Sequence, residues 1–181
     1  MRPFGRPPVR IAQMTIIELI RALAEDSPVA ICLTDAQPAA PGPLILYANP
    51  AFALLTGRPL AEVIGVSPRF MQGRETRRPT LDLFAKALAE KQRFHGQITN
   101  YRGDGAKYLV EIDCRPLLGP DGEPTHFLAF EREVARRRGR PGSGVAGRFE
   151  PVSVPDSDLP AALRSMAAFA SLPPAAEHPP A

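Results

Sequence analysis

The chain has 181 residues, 22 Lys/Arg against 19 Asp/Glu for a formal charge of +3, and 44% hydrophobic residues. That is room for one domain of ordinary size plus tails, while 22 prolines and 14 glycines are too many for a chain ordered from end to end. Residues 27–134 carry twelve basic and twelve acidic side chains, so the globular part has no bias toward nucleic acid and the flanks supply the excess charge.

Residues 1–10 are rich in proline and arginine and are expected to be disordered. Ile16, Leu19, Ile20 and Leu23 then recur at helical spacing with Glu18, Arg21 and Glu25 between them, which predicts an amphipathic helix ending before Ser27-Pro28. Val29–Thr34 and Leu44–Tyr47 read as two short strands around a loop punctuated by Pro38, Pro41, Gly42 and Pro43. From Asn49 to Lys91 the pattern is helical, in short pieces interrupted at Gly57 and Gly65. A longer helix is expected from an N-cap at Thr80, with Leu81, Phe84 and Leu88 on one side. Three strands follow, Phe94–Arg102, Lys107–Leu117 and His126–Val134, joined by turns at Gly103-Asp104-Gly105 and Gly119-Pro120-Asp121-Gly122. Strands and helices segregated in this way predict an α+β domain over 27–134, with helices on one face of an antiparallel sheet. Residues 1–26 form its disordered start and leading helix. Residues 135–181 read as a flexible basic linker, one short helix over 158–170 and a disordered tail.

No apolar run reaches the roughly 20 residues that span a bilayer. The N-terminus lacks the apolar core of a signal peptide, so a cytoplasmic protein with no membrane partner is expected. Cys32 and Cys114 fit no metal spacing, and a reducing compartment argues against a disulfide. No nucleophile–base pair, metal cluster or phosphate-cradling glycine loop stands out, so no enzyme is expected.

The stretch Gly65-Val66-Ser67-Pro68-Arg69-Phe70-Met71-Gln72-Gly73 resembles the signature of the light-oxygen-voltage (LOV) branch of the PAS sensor family, G-x-N-C-R-F-L-Q-G. Arg69, Phe70, Gln72 and Gly73 match, with Met71 for leucine. Pro68 stands where that family has its photoreactive cysteine, and Ser67 where it has asparagine. Leu33-Thr34-Asp35, Tyr47-Ala48-Asn49-Pro50-Ala51-Phe52, Leu55-Thr56-Gly57 and Asn100-Tyr101-Arg102-Gly103-Asp104-Gly105 look like further landmarks of the family in their proper order. The resemblance implies a PAS fold, a five-stranded antiparallel sheet with helices on one face and flanking N-terminal and C-terminal helices. It also implies flavin mononucleotide (FMN) held between sheet and helices.

Strand alternation places Phe94, Gly96, Ile98 and Asn100 on one inner face, Tyr108, Val110, Ile112 and Cys114 on the next, and Phe127, Ala129 and Glu131 on the last. By the resemblance, Asn100 is then a flavin-edge contact, while Val110 replaces a second asparagine and can make no hydrogen bond. Glu131 replaces the family's switching glutamine. Arg69 and Arg78 match phosphate-binding arginines, and Gln72 a residue on the ribityl chain. Thr34 and Ser67 complete the candidate set, and Cys32, beside Thr34, faces the same way.

Pro68 reads as a helix N-terminal proline or as the mark of a LOV module without its cysteine. Glu131 reads as a protonated contact to the ring, or as a carboxylate turned to solvent or paired with arginine. Cys32 reads as a small core residue or a relocated thiol. Neither His95 nor His126 lies where the family's haem ligand would. Arg138-Gly139-Arg140-Pro141 matches the core of a minor-groove AT-hook, but a solvated linker is the simpler reading, so DNA is not an expected partner.

Two functions follow. One is a stand-alone sensor that detects light or redox state through non-covalent flavin. The other is a cofactor-free PAS module for dimerisation or docking. In either, a homodimer through Ile16, Leu19, Ile20 and Leu23 and a separate effector protein are expected.

Overall fold

A computed structural model describes residues 14–136 and 149–151. Helix α1 (Ile16–Ala24) opens on a capping box: the Thr15 hydroxyl accepts from the Glu18 amide at 3.3 Å, and the Glu18 carboxylate accepts from the Thr15 amide at 2.8 Å. Its Ile16, Ile17, Ile20 and Ala24 pack on Ile31, Leu33, Tyr47 and Leu128, the outer face of the sheet. The expected apolar stripe therefore splits. Ile16 and Ile20 turn to the sheet, whereas Leu19 and Leu23 remain 40% and 65% exposed.

The strands are β1 (Ala30–Asp35), β2 (Ile45–Ala48), β3 (Phe94–Tyr101), β4 (Lys107–Leu118) and β5 (Pro124–Arg136), ordered β2-β1-β5-β4-β3 and all antiparallel. With α1 on one face and the other helices on the second, β1 is buried along nearly its whole length and shows no polar alternation. β3 and β4 keep it: Phe94, Ile98, Asn100, Tyr108, Val110, Ile112 and Cys114 all point inward and are buried.

Across the inner face run α2 (Pro50–Thr56), α3 (Leu60–Val63), a 3-10 turn (Pro68–Met71) and α4 (Arg78–Ala89). α2 ends at Gly57 in the left-handed region (φ 63°), and a Cβ on Gly103 would come within 2.6 Å of the Gly57 carbonyl oxygen. Close approach there lets the Gly103 amide donate to Thr56 at 3.0 Å and ties α2 to the β3–β4 turn. α4 lays Leu81, Phe84, Ala87 and Leu88 against the inner sheet, with the Phe84 and Phe94 rings stacked at 4.2 Å.

Two expectations change. α4 starts at Arg78, after Arg77, rather than beyond Thr80. Pro79 occupies its first turn, where a missing N–H leaves no bond unmade. β5 runs on to Arg136, and Phe149–Pro151 forms a sixth short strand, β6, paired with its end, where the sequence reads as linker. Residues 1–10, the expected helix over 158–170 and Arg138-Gly139-Arg140-Pro141 lie outside the described residues. Among the described residues no helix is long and apolar enough to cross a membrane.

Candidate functional site

Between the inner sheet face, the 3-10 turn and α4 lies a cavity of about 300 Å³, at the lower end of the roughly 300–1,000 Å³ of small-molecule sites. Thr34, Ser67, Arg69, Gln72, Arg78, Asn100 and Glu131 all line it. Residues from β1, β3, β5, the 3-10 turn and α4 thus meet around one space. Val110, fully buried, is not among the lining residues.

The floor belongs to β5. Glu131 is only 5% exposed, and its Oε2 has no hydrogen-bond partner. Its in-register neighbours are Ala30 on β1 and Ile112 on β4. The carboxylate neither turns to solvent nor pairs with arginine, and burial pushes its pKa up to about 7.

Two register rows away, the next on the same face, Ala129 sits between Cys32 on β1 and Cys114 on β4. Two strand spacings separate their Cα atoms, about 10 Å, which is past the ~7 Å Cα limit for a disulfide. Burial raises both thiols, and the Glu131 carboxylate adds to the effect: Cys114 reaches about 12, and Cys32 rises well above its ordinary value. Neither is a thiolate near neutral pH.

The side walls are set locally. Pro68 opens the 3-10 turn as its first residue, with Ser67 as a cap whose side chain makes no capping bond. The Ser67 hydroxyl is buried and unpartnered, a second orphan in the same cavity. Asn100 is buried, and its amide donates to the Met71 sulfur at 3.9 Å, while the Tyr108 hydroxyl donates to the same sulfur at 3.7 Å. Two good donors thus share one weak acceptor. The Thr34 hydroxyl is engaged by the Asp35 carbonyl at 2.8 Å.

The mouth is cationic. Arg69 is exposed and runs beside Gly42, at φ 94°, where a Cβ would sit 3.3 Å from the guanidinium carbon. Gln72, also exposed, follows the 3-10 turn. Arg78 donates to Asp82 at 2.9 Å, with its own side chain 83% exposed. His95 pairs with Glu111 at 3.0 Å and His126 lies 3.0 Å from Thr125; neither lines the cavity.

Sequence reasoning missed one residue of the cavity and one structural joint outside it. Asp82 at the mouth gave no signal beyond its i,i+4 spacing from Arg78. Asn49 stands just before Pro50 and a helical pattern, an N-cap signal that could have found it. Its side chain accepts from the Ile31 and Phe52 amides at 2.9 and 3.1 Å and donates to the carbonyls of Ala24, Ser27 and Val29 at 3.0, 3.3 and 2.9 Å. It fastens α1, β1 and α2 together at the end of the domain where α1 enters.

Residues 18–134 match the PAS fold family. The chain is 39% identical over 117 residues to the nitrogen fixation regulatory protein of Klebsiella oxytoca, covering 65% of this chain and 23% of that protein. It is 30% identical over 119 residues to a blue-light-activated histidine kinase of Brucella anthropi, covering 66% of this chain and 24% of the kinase. Among solved structures, the LOV domain of the Erythrobacter litoralis EL346 blue-light activated histidine kinase superposes with a TM-score of 0.54 at 26% identity, over 59% of this chain and 95% of that domain. The chain spans less than a quarter of the length of these curated relatives.

Proposed function

This chain belongs to the PAS family, and from that premise we propose that it is a sensory module that binds FMN non-covalently, senses light or redox state, and signals through protein–protein contacts. The observation that supports this best is the pair of buried, unpartnered polar atoms, Glu131 Oε2 and Ser67 Oγ, on one cavity whose mouth carries two guanidiniums. Buried polar groups are almost always hydrogen-bonded within a fold, and orphans on a cavity wall ask for a ligand. A planar ring with polar edges and an anionic tail fits that layout.

Arg69 and Arg78 would hold the phosphate through paired donors, with Arg78 exchanging Asp82 for it. Gln72 would meet the sugar-alcohol chain, and Asn100, Ser67 and Glu131 the ring edge. Leu81, Phe84, Leu88, Ile98 and Phe127 would cover the ring faces and exclude water. When bound, a flavin supplies blue-light absorption and reversible electron uptake. Pro68 offers no nucleophile, and both cysteines are held as neutral thiols, so the response runs through hydrogen bonds to the ring.

Output favours α1. Leu19 and Leu23 are exposed while Ile16, Ile17, Ile20 and Ala24 pack on the sheet, so a second copy of the chain docking there would form the dimer. The same exposed pair supports the second reading, a docking module that works without cofactor.

The test is an absorption spectrum of the purified protein in the dark and after blue light, with FMN offered in excess and then washed away. Retained, structured flavin bands are expected. A protein that stays colourless and refuses FMN leaves the docking module.

A further inference from the structure

Glu131 occupies a position where an ionised carboxylate has nothing to stabilise it. On β5 its inward neighbours are Ala129 and Glu133, and Glu133 is already paired with Arg102 at 2.5 Å. From β1 it meets Ala30 and the neutral thiol of Cys32, and from β4 Ile112, Cys114 and the Tyr108 hydroxyl, whose proton burial also holds in place. Across the cavity are the Ser67 hydroxyl and the apolar face of α4. The charged groups on that side, Arg69, Arg78 and Asp82, lie at the mouth, with Arg78 and Asp82 paired to each other. Burial alone moves the carboxyl, with no cation set against it.

A carboxyl group so placed keeps its proton below about pH 7, and its O–H then needs an acceptor, while Oε2 has no partner in the protein. An amide at the same place would differ in one respect. Glutamine donates a hydrogen bond at any pH, whereas glutamic acid donates only while it keeps its proton.

Building on the flavin reading of this cavity, we propose that Glu131 meets its ligand as a neutral acid, donating its proton to a carbonyl or ring-nitrogen acceptor on the ligand's heteroaromatic edge, so that binding weakens as the solution becomes more alkaline. Occupancy of the cavity is then linked to proton concentration, in a direction set by one residue. The carboxyl ionises at about 7 in the ligand-free protein, and above that value each pH unit lowers affinity by about tenfold.

The experiment measures binding of riboflavin and of FMN by quenching of their fluorescence across about pH 6 to pH 9, in the full chain and in Glu131→Gln. Riboflavin has no phosphate, so its profile is free of phosphate ionisation (second pKa about 6). For the full chain, riboflavin affinity is expected to fall by about fiftyfold over the two units above the carboxyl value, while Glu131→Gln binds with a flat profile. A flat or rising riboflavin profile in the full chain overturns the proposal, and that sign needs no variant.

If neither flavin binds at any pH, the preceding functional reading fails separately. Infrared spectra of the ligand-free protein at about pH 6, below the carboxyl value, then decide what is left of this one. A protonated-carboxyl band that disappears in Glu131→Gln keeps the neutral acid and overturns flavin as its acceptor. Absence of the band overturns the proposal entirely.

Discussion

Two regions of this domain bury a polar side chain, and they treat it in opposite ways. At the junction of α1, β1 and α2, Asn49 is 0% exposed and makes five hydrogen bonds, every one to backbone. On the cavity floor, Glu131 is 5% exposed and has an oxygen with no partner, between alanine and isoleucine. The first region is complete in itself, as a structural joint should be. The second leaves a buried oxygen without a partner, which the proposed ligand would supply. Burial alone does not separate a joint from a binding site, but satisfaction of the buried group does.

The harshest test of that contrast is Asn49→Ala. It leaves two amide donors and three carbonyls without their shared partner, at about 1–3 kcal/mol for each group that stays dry. A loss of about 3–5 kcal/mol is expected from urea denaturation, a large fraction of the roughly 5–15 kcal/mol of a typical domain. A loss under ~1 kcal/mol would mean that water replaces the amide and that the joint is no more complete than the floor.

Glu131→Gln should act in the other direction, and only above about pH 4.5. The folded carboxyl ionises near 7, above its ordinary 4.5, so folding favours the protonated form. Below pH 4.5 both states hold the proton and the group is neutral to stability. Between 4.5 and 7 the unfolded chain ionises while the folded one does not, and wild-type stability falls by about 1.4 kcal/mol per unit. The variant, with nothing to titrate, should be more stable than the wild type by roughly 3 kcal/mol at pH 8, with the difference gone in acid. A gap that does not change with pH would place the carboxylate in contact with water or a cation after all.

The contrast between joint and floor is only half legible in the sequence. Strand alternation alone brings Asn100, Glu131, Cys32 and Cys114 to the inner face, because a period of two leaves no choice once one face is apolar. The motif residues are legible for a physical reason: Gly73 lies so close to the Tyr101 ring that any Cβ would collide with it, and the Tyr101 hydroxyl accepts from the Glu75 amide at 3.0 Å. Which buried polar groups end up satisfied was not legible. Met71 serves donors from Asn100 and Tyr108, 29 and 37 residues away, and no local pattern encodes such a meeting. α1 shows the same limit. Ile17 and Ala24 complete its buried face while Leu19 and Leu23 stay out, because a stripe of helical spacing fixes a direction only to within the width of the stripe.

The mouth of the cavity offers a milder test than either buried group. Arg69→Ala with Arg78→Ala removes two exposed guanidiniums, so the fold should be unaffected. FMN affinity should drop about tenfold while riboflavin affinity is unchanged, since the charged hydrogen bonds involved are partly solvated. An equal loss for both flavins would move the arginines' contribution from the phosphate to the shape of the cavity.

A similarly small effect on the fold is expected from the exposed half of α1. Leu19→Asp with Leu23→Asp changes side chains that are 40% and 65% exposed, while Ile16, Ile17, Ile20 and Ala24 keep their packing on the sheet. Exposed substitutions of this kind stay within about 0.5 kcal/mol, so the urea midpoint should hardly move. The mass by light scattering should nevertheless halve, because two carboxylates buried face to face against their copies cost far more than two leucines gain. A midpoint that falls together with the mass would show the leucines supporting their own sheet. An unchanged mass and midpoint would remove α1 as the dimer surface and leave its exposed face to a different protein.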